Sequence, residues 1–98
     1  MKIFNFKKNG SSTKAGSCTY SASAHFFDRQ ENESIFVIAL IKYHADGSVN
    51  FILSYLGQDG KILFRLADEA GSVDYAKSIM LSDVLGYMRD DGGNLELV

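Results

Sequence analysis

Apolar and polar positions alternate with period two along most of the first two-thirds of the chain, then switch to a helical period. Between residues 18 and 27, Cys18, Tyr20, Ala22, Ala24 and Phe26 share one face, with Thr19, Ser21, Ser23 and His25 on the other. An apolar face backed by a polar one is the pattern of a half-buried strand. Residues 2–8 repeat it on a smaller scale, with Phe4 and Phe6 opposite Ile3, and predict a short strand. Residues 34–44 differ. There Phe36, Ile38 and Leu40 form one apolar face, and Ile35, Val37, Ala39 and Ile41 form another. With their β-branched content they predict a central strand. Residues 49–56 align Val49, Phe51, Leu53 and Tyr55, and residues 61–66 add a further strand.

The connections are as telling as the strands. Ala45-Asp46-Gly47-Ser48 and Gly57-Gln58-Asp59-Gly60 are short and place glycine where a tight hairpin needs positive φ. Two such hairpins in a row predict an antiparallel meander. Residues 28–33 read as a polar turn, and residues 9–17, rich in Gly, Ser and Thr, as a surface loop.

From Ser72 onward the period changes. Ser72 is a helix cap for residues 73–90, with Asp74 favourably placed in the first turn. At 100° per residue, Ala76, Met80, Leu81, Val84, Leu85, Tyr87 and Met88 gather on one half of the wheel. Ser78, Ser82, Asp83, Gly86, Arg89 and Asp90 gather on the other. Lys77 falls in the apolar arc, where its long stem can carry the ammonium outward. Gly92-Gly93 stops the helix, and residues 94–98 either add a last strand or trail off. The predicted fold is one α+β domain over residues 1–98: an antiparallel five- or six-stranded meander with one long C-terminal amphipathic helix packed on one face. One helix covers one face of such a sheet, yet residues 34–44 are apolar on both. The surplus has to meet a second protomer, a partner, or the sheet's own curvature.

Composition narrows the class. At 98 residues and 46% hydrophobic, the chain suits one small domain and is not the composition of a disordered one. Its single cysteine cannot form an internal bridge. No stretch is long and apolar enough for a bilayer, and the first ten residues lack the apolar core of a secretory signal. The expectation is a cytoplasmic protein without a membrane partner. The two Asn-X-Ser triplets, at Asn9 and Asn32, are then chance matches. Net charge is −2, which disfavours nucleic acid as a partner. The charge is unevenly spread. Residues 1–58 carry six basic and four acidic residues, a net +2, whereas residues 59–98 carry four basic and eight acidic, a net −4.

The catalytic inventory is thin. Cys18 and His25 sit seven apart on one predicted strand, hence on opposite faces. Cys18 with His44 is possible only across strands, and a buried structural cysteine is the better expectation. One Cys and two His match no zinc spacing, and His44 with Asp46 reads as surface polarity at a turn. The 10–16 loop has phosphate-loop composition in the wrong order, because its Lys14 leads into a strand. Lys2, Phe4, Phe6, Lys7 and Lys8 interleave basic and aromatic residues, as a lysine-guarded edge strand also does. The expectation is no enzyme, no metal and no cofactor.

What remains is binding. Small, acidic, motif-poor α+β chains of this look resemble immunity or antitoxin proteins, a likeness of type only. The leading expectation is a non-enzymatic inhibitor that occludes a basic target enzyme, such as a toxin nuclease, through an acidic surface or a sheet edge. The residues expected to touch the target are Asp68, Glu69, Asp83, Asp90 and Asp91. A phage or plasmid anti-defence protein shares this physics. A third possibility is a homodimer whose paired sheets enclose a small-molecule pocket of Phe36, Tyr43, Phe51 and Tyr55, with His44 and Ser54 as its polar groups.

Overall fold

A computed structural model describes residues 2–9 and 16–98. The phosphate-loop-like stretch and the Asn9 triplet therefore fall largely outside the described residues. The chain forms strands β1 (Lys7–Asn9), β2 (Cys18–Asp28), β3 (Glu33–Tyr43), β4 (Val49–Leu56) and β5 (Ile62–Ala70). Helix α1 (Val73–Asp90) and strand β6 (Leu95–Leu97) follow. The sheet is antiparallel throughout, in the order β1-β2-β3-β4-β5, and β6 also pairs with β2. This is the expected meander with one C-terminal helix on it. Both glycine turns form as the sequence requires. Gly47 has φ 91° and Gly60 φ 84°, and each donates its N–H back across the turn, to the carbonyls of His44 and Gly57, at 2.9 Å.

Register decides which side chains share a face. Ala24 lies opposite Val37, and Val37 opposite Tyr55; Ala39 lies opposite Leu53, and Ile41 opposite Phe51. These residues, with Phe26, Ile35 and Val49, are buried under α1. The helix contributes Ala76, Met80 and Val84, spaced four apart and fully buried. It packs across β3, β4 and β5, with β4 at the centre. Its Ser72 cap accepts a hydrogen bond from the Tyr75 amide at 3.0 Å, one of the donors a helix start leaves unpaired.

Two elements depart from expectation. The first strand is three residues, Lys7–Asn9, rather than residues 2–8, because the segment before it turns into the core. Phe4 is 6% exposed there, and Ile3 and Phe6 pack against the same cluster. This segment fills space beside the helix, and the Lys77 ammonium lies 5.3 Å from the centroids of both the Phe6 and Tyr20 rings. The fifth strand runs on to Ala70, past residue 66, since β4 is long enough to hold Ala67–Ala70 in register. Residues 94–98 do add a last strand. Leu95 and Leu97 cross from Asp28 and Phe26, so β1 and β6 share the outer edge of β2.

Candidate functional site

No described residue covers the second face of the sheet. The register that buries one side of β3 and β4 turns Phe36, Ile38 and Leu40 of β3, and Ile52 of β4, away from the helix. Each is more than a third exposed, Leu40 most at 42%. Leu40 and Ile52 are directly opposite across the strand pair, and Phe36 is opposite the half-buried Leu56. Beside Phe36, on β2, the His25 ring stacks at 4.5 Å between centroids, 16° from parallel, and its Nε2 is 3.0 Å from Ser34 Oγ. Ser23, Ser54 and Asn50 frame the patch, and Lys42, Arg65 and Glu69 stand at its margins. The surplus read from residues 34–44 is thus a contiguous apolar stripe on the two middle strands.

A second feature lies along the helix. Between α1 and β5 runs an open groove of about 750 Å³, lined by Phe64, Tyr75, Ile79, Asp83, Tyr87 and Asp90 among others. Tyr55, buried on β4, lies behind two of its lining residues. Its ring stacks on Tyr87 at 4.9 Å, and its hydroxyl donates to Asp83 Oδ2 at 2.7 Å. Burial, and after it the carboxylate, holds the Tyr55 phenol far above its ordinary range. Burial raises Tyr87 as well, with Asp91 and Asp28 adding to it.

The five acidic residues expected at the interface do not form one surface. Asp83 and Asp90 do both line the groove. Asp83, however, is half-buried and engaged by Tyr55, while Asp90 is exposed beside Arg89, at 3.8 Å. Asp68 and Glu69 lie at the far end of β5 on opposite faces, because Asp68 pairs with Phe51 and Glu69 with Asn50. Asp68 Oδ1 accepts from the Glu69 amide at 2.8 Å. Asp91 caps the helix C-terminus with one carboxylate oxygen, Oδ2, buried and without a hydrogen-bond partner. That burial, and after it the charge of Asp28, raises its carboxyl above the usual range. Asp28 is itself buried at the β2–β3 turn, where Oδ1 accepts from the amides of Gln30 and Glu31.

The remaining candidate chemistry separates too. Cys18 lies on the helix side of β2, His25 on the open side, and His44 Nε2 is 2.6 Å from Asn50 Oδ1. Among the described residues no group of three or more His, Cys, Asp or Glu is placed to hold a metal ion. The paired-sheet pocket is split by the fold. Phe36 and Ser54 project onto the open face, whereas Phe51 and Tyr55 are buried beneath the helix, with Tyr43 on their side of β3. No helix among the described residues is long and apolar enough to cross a membrane. No protein-family model, curated protein or solved structure matches the chain.

The open face was half legible in the sequence. Two apolar faces on residues 34–44 announced it, but which one the helix takes depends on neighbours. Asn50 and Ser54 on β4, with Ser21, Ser23 and His25 on β2, mark the side that stays wet. That signal needed the register to be read.

Proposed function

We propose that this chain is a non-enzymatic protein-binding module, an inhibitor of the immunity or antitoxin kind, which docks its target on the open face of the sheet. The observation that carries this is the exposure of Phe36, Ile38, Leu40 and Ile52 on adjoining middle strands. At somewhat over a third of full exposure each, they present roughly 300 Å² of apolar surface, a size at which a patch on a monomer is often functional. A polar frame around an apolar centre is the layout of a protein–protein contact. The acidic residues take a lesser part than expected, since Asp83 is spent on Tyr55 and Asp91 is partly buried. Asp68, Glu69 and Asp90 remain exposed, and with the net −4 of residues 59–98 they support a basic target whose approach charge would hasten.

Capture from native cells with tagged wild-type chain, against Ile38→Glu and Asp90→Lys variants, tests this. A single stoichiometric partner is expected with wild type and loosened by salt, lost with Ile38→Glu, and held more weakly but with less dependence on salt by Asp90→Lys. Full recovery of that partner by Ile38→Glu, with the variant's circular dichroism unchanged, would remove the open face from the proposal.

A further inference from the structure

One edge of the sheet is closed and the other is not. β1 and β6 line the outer side of β2, whereas among the described residues β5 is paired on one side only, to β4. Proteins blunt such an edge with shortness, proline, bulges or charge. β5 has nine residues and no proline, and its one register irregularity lies at its start, opposite Tyr55 and Leu56. Ile62, Leu63 and Phe64 are each half exposed or more. The charges it does carry are not a uniform guard. Arg65 and Glu69 stand four apart on the open-face side, with Ala67 midway between them.

That spacing selects one pairing. If β5 meets an antiparallel β5 of a second copy about a two-fold axis at Ala67, Arg65 of each copy lies opposite Glu69 of the other, twice. Moving the axis one residue leaves both charges without a charged partner, one opposite Ala67 and the other opposite Leu63 or Gly71. Moving it two sets Arg65 against Arg65, or Glu69 against Glu69. Opposite charges directly across an antiparallel pair stabilise it, and like charges there do the reverse. The same register brings Phe64 of the second copy across from Ala70, next to the first turn of α1, where Tyr75 is 60% exposed.

We propose that β5 is the interface of a homodimer, an isologous antiparallel strand pair centred on Ala67 and held in register by two Arg65–Glu69 contacts. The axis is normal to the sheet, so both open faces lie on the same side of one continuous sheet. The interface adjoins the open face, with Arg65 and Glu69 at the shared margin, and the proposal stands whether or not a target docks there.

Sedimentation of the full chain over a micromolar concentration series tests it. The expected result is a concentration-dependent doubling of the 10.8 kDa mass. Arg65→Glu and Glu69→Arg should each weaken the dimer about tenfold, because each reverses two symmetry-related pairs. The combined R65E/E69R chain should recover most of that loss. Both positions are exposed, so circular dichroism should not change, and amide exchange along β5 should slow as the dimer forms. Three results would overturn the proposal: a monomer throughout the series, a dimer indifferent to both reversals, or a dimer abolished by Ile38→Glu and not by them.

Discussion

Removing one oxygen atom from behind the groove, by Tyr55→Phe, separates packing from hydrogen bonding at Asp83. The Tyr55 ring is fully buried and stacked on Tyr87, and phenylalanine keeps both features. Only the 2.7 Å donation to the Asp83 carboxylate is lost. A hydroxyl bonded to a charged acceptor contributes about 1.5–3 kcal/mol net. Asp83 is only half-buried, so water can take over part of that role, and the lower end, about 1.5 kcal/mol, is expected. For a domain of this size that lowers the melting temperature by roughly 6–12 °C. Urea denaturation of Tyr55→Phe, Asp83→Ala and the double variant closes a cycle whose coupling energy should be about 1–2 kcal/mol. A Tyr55→Phe chain as stable as wild type, or a coupling near zero, would show that water already satisfies Asp83, and that this acid is free for a partner after all.

Two further outcomes follow from the helix ends. Ser72→Ala should lower stability by about 1 kcal/mol, and Ser72→Asp should restore most of it, since the Tyr75 amide needs a side-chain acceptor; equal melts for wild type and alanine would mean the cap is idle. The Asp91 carboxyl is raised in the folded chain, so the folded state keeps a proton that the unfolded state releases. Stability then falls as pH rises from the ordinary carboxylate range through the raised value, and the penalty persists above it. Asp91→Asn should abolish that slope in an acid-to-neutral series of thermal melts; an unchanged slope would place its source elsewhere.

Local chemistry explains which parts of this fold could be read from the chain. Residues 49–56 and 73–90 came out with their ends correct because Asp-Gly and Gly-Gln-Asp-Gly turns, a serine cap and a double glycine mark them directly. Residues 2–8 misled because period two describes any extended segment. Whether Phe4 sits in a sheet or plugs the side of a core depends on space left by the helix. Ala67–Ala70 have poor strand propensity, and their pairing comes from β4 rather than from themselves. On the helix the apolar arc is wider than the contact. Leu81 and Leu85 are exposed, while Asp83, placed on the polar side, is drawn half inward by Tyr55. A tyrosine hydroxyl at the edge of a core carries no periodic signal, so the commitment of Asp83 was invisible until strand and helix were docked.

The arrangement at the outer edge of β2 bears on how far strand pairing could spread. Lys7–Asn9 lies along one part of that edge, Leu95–Leu97 along another, and the Val98 amide bonds to the His25 carbonyl at 2.8 Å in the stretch between. A sheet with one bare edge can take on a single neighbour and is then complete. A sheet bare on both sides has no stopping point, and successive additions build a fibril. Two three-residue strands, from the two ends of the described chain, thus occupy the edge at which successive additions would start. Loss of residues 94–98 would take the buried Leu95 out of the core and bare the edge at Phe26–Asp28, leaving Lys7–Asn9 to guard the side on which pairing could otherwise spread.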